Sequence, residues 1–156
     1  MKVRDVMTEP ALSCTPDTSL SIAARRMEEA DYGTLPVVDR DGRIVGIITD
    51  RDICLAFAHS DRNATHITVH EVMTPTVSTT LTDDDLQTAL ATMKHARVRR
   101  LPVCDGTGRL VGIISIEDVV VRGLQGNGID TDDLVAALQA MYVRTPVAVR
   151  PAAGTR

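Results

Sequence analysis

The sequence predicts an α/β protein of the α+β kind, made of two pseudo-symmetric β-α-β-β-α halves and a C-terminal helix. Three observations predict it. First, sliding the chain by 66 residues aligns 4–58 with 70–124 without a gap, and 19 of the 55 pairs are identical. Average residue usage gives about one identity in sixteen by chance. Second, the apolar period switches from helical to strand-like within each copy. Third, a Gly-containing pair stands between two apolar runs in both copies, a hairpin signal.

The elements follow in order. A short first strand is expected near Ala11–Cys14 and Val77–Thr80. A helix comes next, with Leu20, Ala23, Ala24 and Met27 on one face, matched by Leu86, Ala89, Leu90 and Met93. Its start is marked by Pro16-Asp17-Thr18-Ser19 and by Thr82-Asp83-Asp84-Asp85, residues that cap helices and suit the positive end of the dipole. The acidic triplet is therefore read as a helix start, not a metal site. Strands are expected over 34–38 and 43–48, and over 98–104 and 109–114, turning at Asp41-Gly42 and Thr107-Gly108. A second helix should run from Thr49 to Ala58 and from Ser115 to Leu124. Each copy should form a three-stranded sheet. Because about 55 residues alone make a marginal fold, the copies should pack sheet to sheet around a shared core.

The domain reading is 1–58 for the first repeat, 59–68 for a polar linker, 69–124 for the second repeat and 125–156 for a C-terminal helix and tail. That helix is expected from Leu134 to Val143, capped by Asp130-Thr131-Asp132-Asp133, with Leu134, Leu138 and Met141 on one face. Residues from Pro146 onward are expected to be a tail.

Composition narrows the function. The chain has 156 residues, a formal net charge of −4, and only two Tyr, one Phe and no Trp. Mild acidity and few aromatic rings make nucleic acid an unlikely partner. No apolar run is long enough to span a bilayer, so no membrane partner is expected and the cytoplasm is the expected location. Cys14, Cys54 and Cys104 are widely spaced and read as reduced thiols. His66 and His70, four apart, lack a clear third ligand and read as surface residues. No motif assembles a nucleophile, a base and an oxyanion site, so a non-enzymatic role is expected.

Val6-Met7-Thr8, Leu35-Pro36-Val37 and Val45-Gly46-Ile47-Ile48-Thr49-Asp50-Arg51-Asp52 recur as Val72-Met73-Thr74, Leu101-Pro102-Val103 and Val111-Gly112-Ile113-Ile114-Ser115-Ile116-Glu117-Asp118. This pattern resembles the CBS domain, and two in tandem resemble the CBS pair, or Bateman module. The first copy is especially similar to stand-alone bacterial CBS pairs. The resemblance covers residues 1 to about 124 and excludes the C-terminal helix. It implies a regulatory module that binds AMP, ADP, ATP or S-adenosylmethionine in clefts between repeats, with no required cofactor. It also implies a homodimer and an effector protein as partners.

The residues themselves allow two readings of the strand-to-helix turns. Asp52 and Asp118 can accept paired hydrogen bonds from a ribose diol, with Thr49 and Ser115 adding a hydroxyl. The same residues also spell a capping box, which needs no ligand. Arg99 and Arg100 fall where, by the resemblance, basic residues meet phosphate; a charged edge strand is the alternative. Copy one has Gly33 and Thr34 there, so the two clefts should differ, with Thr34 as the copy-one candidate. Arg51 is a further phosphate candidate or an exposed helix residue. The alternative function is a protein-interaction or stress-response module with degenerate, empty pockets. The surplus of apolar residues on the second-type helices, Ile53, Leu55, Phe57, Val119, Val120 and Val121, is expected to serve a dimer interface.

Overall fold

The computed structural model describes residues 1–123 and 129–143. Helix α1 spans Leu20–Ala30, strand β1 Thr34–Val38, β2 Ile44–Thr49 and helix α2 Asp50–Ala58. The second copy supplies β3 Thr80–Leu81, α3 Leu86–Ala96, β4 Arg100–Cys104, β5 Leu110–Ser115 and α4 Ile116–Asp118. A final helix, α5, covers Thr131–Tyr142.

Local sequence explains the boundaries. Ser19 caps α1 by accepting from the Ile22 amide at 3.4 Å. Both first helices end in a left-handed residue, Asp31 and Arg97, each at φ 54°. The following amides, Tyr32 and Val98, then bond back to Met27 and Met93 at 3.0 and 3.1 Å. This closes the last turn and delays the next strand, so β4 begins at Arg100 and not at residue 98. Gly42 and Gly108 hold φ 78° and 83° in the two hairpins, where a Cβ would be strained. Asp39 Oδ1 braces the first turn through the Asp41 and Arg43 amides, both at 2.9 Å.

The antiparallel pairs β1–β2 and β4–β5 share one register, from Thr34 opposite Thr49 and Arg100 opposite Ser115. The expected first strands are much reduced. In copy one only Cys14 meets β1, as a single parallel bridge to Val37, so that sheet has two strands. A turn at Thr15–Thr18 takes the chain away at once. In copy two the strand is Thr80–Leu81, and Asp84 ends it by accepting from the Leu81 amide at 2.8 Å. The expected helix 115–124 is also corrected: three α residues pass into a π turn at Val119–Gly123. Residue 124, and the expected tail from Pro146, lie outside the described residues.

The shared core is replaced by two cores, each completed by the other copy's opening segment. Val3, Val6 and Met7 pack with Leu86, Leu90, Met93, Leu101 and Ile114. Ile67 and Val69 pack with Leu20, Met27, Leu35 and Ile48. Thr8 and Ile113 exchange amide bonds at 2.9 and 3.0 Å, and Thr74 and Ile47 do so at 2.9 Å each way. The opening segments thus cross over, which explains why a repeat short of core area folds in tandem.

The acidic triplet is used up structurally. Asp83 pairs with Arg4, Asp85 with Lys2, and Asp84 Oδ2 accepts from Thr80 Oγ1 at 2.8 Å. Helix α5 seats on α3, burying Leu134 and Ala137 and packing Leu138 and Met141 against the second core. Cys14 and Cys104 are buried, and Cys54 is exposed. Burial pushes the Cys14 thiol up to about 11. No described helix is long and apolar enough to cross a membrane.

Candidate functional site

Both strand-to-helix turns form the full capping box. The Thr49 amide and Oγ1 donate to Asp52 Oδ2 at 2.9 and 2.7 Å, and the Asp52 amide returns a bond to Thr49 Oγ1 at 3.2 Å. Ser115 and Asp118 repeat it at 2.9, 2.6 and 3.1 Å. One carboxylate oxygen thus holds the helix start in each copy. Oδ1 of each Asp accepts no hydrogen bond among the described residues and remains available to a donor.

The surroundings of Asp118 make a cavity of about 250 Å³. β5 supplies Ile113 and Ser115, β4 supplies Arg100, and the start of α4 supplies Glu117 and Asp118. The crossing segment brings Thr8, and the end of α1 brings Asp31 and Tyr32 from the other copy. The cavity is therefore a seam between copies. Polar groups converge on it from both copies, and copy one adds the ring of Tyr32. Arg100 is half-buried, with Nη2 3.8 Å from Glu117 Oε1.

Three of the residues predicted from sequence, Arg100, Ser115 and Asp118, come together in this seam. Arg99 does not line it: its side chain is exposed, and its carbonyl accepts from the Ile116 amide at 2.8 Å. Thr34, Thr49 and Asp52 occupy the matching places in copy one, on β1, β2 and α2, and Arg51 is exposed on α2. Thr8, Asp31, Tyr32 and Ile113 were not singled out from sequence. The repeat offset held the signal, because the Val-Met-Thr opening and the helix end are fixed points of both copies. What joins them to Asp118 is the crossover, which no local pattern encodes.

A second concavity, of about 600 Å³, lies between α1 and α2 and is lined by Ala24, Met27, Ile53, Cys54 and Phe57 among others. Its counterpart in copy two is occupied. Leu90, which matches Ala24, is buried in the core that includes α5, whereas Ala24 is exposed. Among the described residues no group of three or more His, Cys, Asp or Glu is placed to hold a metal ion.

Two α/β repeats with crossed openings and a polar seam between them define a tandem-repeat module and not a single-domain fold. The CBS-domain family model matches residues 3–59 and 69–123, and the chain belongs to that family. An uncharacterized 17.7 kDa protein of Acidianus ambivalens is 35% identical over 118 residues, covering 76% of this chain and 70% of its own. Inosine-5'-monophosphate dehydrogenase of Methanocaldococcus jannaschii is 36% identical over 121 residues, 78% of this chain but 23% of that enzyme. Among solved structures, Hypoxic Response Protein I with two coordinated zinc ions superposes at TM-score 0.71 and 30% identity, covering 78% of this chain and 98% of its own. The CBS pair of MJ0100, in complex with 5'-methylthioadenosine and S-adenosylmethionine, gives 0.70 and 31%, covering 81% and 98%. CBSX2 in complex with AMP gives 0.69 and 29%, also covering 81% and 98%.

Proposed function

We propose that this chain is a regulatory CBS pair that binds an adenine nucleotide or adenosyl ligand, among AMP, ADP, ATP and S-adenosylmethionine, in its inter-copy clefts. The occupied state is then passed to an effector protein in the cytoplasm. The observation that carries this reading is the seam around Asp118. A carboxylate oxygen without a partner among the described residues, a half-buried guanidinium and a tyrosine ring from the opposite copy meet in one cavity. Asp118 Oδ1 suits a ribose hydroxyl, Ser115 or Thr8 a second polar atom, and Tyr32 the face of a purine. Asp52 with Thr49, Thr34 and Arg51 offers the related set in copy one. Similar CBS pairs solved with AMP, and with S-adenosylmethionine and 5'-methylthioadenosine, support the ligand class.

The test is a thermal-shift and calorimetric titration with each ligand. Binding at a hundredfold excess over Kd raises stability by about 2.7 kcal/mol. Asp118→Asn keeps an oxygen for the cap but removes one of two acceptors, and Tyr32→Ala removes the ring. Both should weaken binding with the fold intact. Unchanged affinity in both would overturn the assignment of this seam.

A second reading, a protein-interaction module, is favoured by the open groove between α1 and α2. Leu55 and Phe57 on α2 are exposed, and among the described residues no helix packs over the α1–α2 groove as α5 packs on α3. The partner that fits is a second copy meeting the same face. Phe57→Glu should convert a dimer to a monomer in analytical ultracentrifugation, and a monomeric wild type would exclude this interface.

A further inference from the structure

The Asp118 cleft has a charge pattern that sorts adenosyl ligands, an inference that rests on the adenosyl reading above. Its wall carries three carboxylates, Asp31, Glu117 and Asp118, against one guanidinium, Arg100. That guanidinium already leans on Glu117 at 3.8 Å, with the Arg100 side chain 24% exposed and Glu117 57% exposed. A phosphate entering here finds its one cation partly neutralised and three negative groups around it.

The backbone offers little compensation. At the helix start the Ile116 amide donates to Arg99 O at 2.8 Å, and the Asp118 amide donates to Ser115 Oγ at 3.1 Å. Asp118 itself occupies the positive end of that turn. Arg99, the neighbouring cation, does not line the wall. The carboxylates have no such conflict with a neutral thioether or a sulfonium group, and a sulfonium would be attracted by them.

Copy one has the opposite sign at the same offsets. Arg51 stands where copy two has Glu117, and Arg97 stands where copy one presents Asp31 to the seam. Only the carboxylate that would take the ribose, Asp52 or Asp118, is common to both.

We propose that the Asp118 cleft selects a neutral or cationic adenosyl ligand, of the 5'-methylthioadenosine or S-adenosylmethionine class, over adenosine phosphates, and that Glu117 sets this preference. Copy one, with Arg51 in place of Glu117, lacks that bias.

The experiment is isothermal titration of the full chain carrying Asp52→Asn, so that the Asp118 cleft dominates the signal. The titrants are 5'-methylthioadenosine, S-adenosylmethionine, AMP and ATP, at low and at high salt. The first two should bind at least roughly tenfold more tightly than ATP, with the gap narrowing as salt screens the carboxylates. Glu117→Arg, and to a smaller degree Glu117→Gln, should tighten ATP by about tenfold and leave the uncharged 5'-methylthioadenosine within about twofold. AMP or ATP binding as tightly as 5'-methylthioadenosine, or an ATP affinity indifferent to both Glu117 variants, overturns the proposal while leaving the adenosyl cleft standing. Failure of all four ligands to bind overturns the adenosyl reading itself.

Discussion

Replacing Gly112 by alanine tests whether the opening segment of the chain is built into the second copy. Gly112 lies within β5, opposite Val103, and the next residue, Ile113, exchanges two amide bonds with Thr8. A Cβ at Gly112 would stand 2.8 Å from Met7 Sδ, 3.3 Å from Met7 Cγ and 3.0 Å from Thr8 O. Met7 is buried in the second core, and the Thr8 carbonyl belongs to a hydrogen-bonded backbone. Neither can give way without opening core contacts or the pairing with Ile113. Overpacking of this kind costs about 1–3 kcal/mol. Removing a glycine from a strand returns roughly 0.5–1 kcal/mol through the unfolded chain. The balance is a loss of about 1–2 kcal/mol, or about 2–8 °C in Tm for a chain of this size. Differential scanning calorimetry reads it directly. Since Thr8 also lines the Asp118 cleft, ligand affinity should fall with it. Gly106→Ala is the control, because nothing lies within 4 Å of its Cβ position and its stability should hold or rise. A Gly112→Ala protein that melts with or above wild type would refute the crossover as described.

The remaining predictions concern the helix α5, acid stability and thiol reactivity. Leu134→Ala should cost about 2–5 kcal/mol in urea denaturation, because the side chain is buried between α5 and the second core; a smaller loss would mean that α5 contributes little to the fold. Glu71 is held at about 2, below its usual 4.5, chiefly by its hydrogen bond to Arg62 and then by the Thr68 amide. Its folded pKa is depressed, so its contribution is present above about 4.5 and is lost as pH falls from there toward 2. Thermal melts of Glu71→Gln should therefore lose less stability across that window than wild type, and parallel acid limbs would contradict the assignment. In native protein at mildly alkaline pH, iodoacetamide should label exposed Cys54 well before Cys14, whose burial keeps it protonated up to about 11. Mass spectrometry showing Cys14 modified first would refute that order.

Much of the fold was legible because it is local and stated twice. The Gly42 and Gly108 turns, the strand pairs around Leu35-Pro36-Val37 and Leu101-Pro102-Val103, and the Thr49–Asp52 and Ser115–Asp118 boxes each depend on residues a few positions apart. The overestimated first strands and the helix drawn through Val119–Gly123 show the limit. Apolar content allowed a strand at Ala11–Cys14, yet only Cys14 reaches β1, because pairing depends on where the chain is carried next. Likewise, the apolar run Val119-Val120-Val121 after Asp118 does not distinguish an α from a π turn.

The candidate site divides in the same way. The capping turn of Ser115 and Asp118 was readable from sequence because it is a short-range feature, and Arg100 was singled out through the family resemblance. Its other half was not. Asp31 and Tyr32 belong to a different copy, and Thr8 lies more than a hundred residues from Asp118. The sequence by itself determined the repeat, the turn chemistry, the apolar faces and the family likeness, because each follows from spacing along the chain. Only tertiary structure decided that the openings cross, that two cores replace one, and that α5 covers one helical face and leaves the other open. It also decided that an acidic wall surrounds Arg100. These outcomes depend on which surfaces bury one another, and burial is a property of the packed chain, summed over contacts whose partners are far apart in sequence.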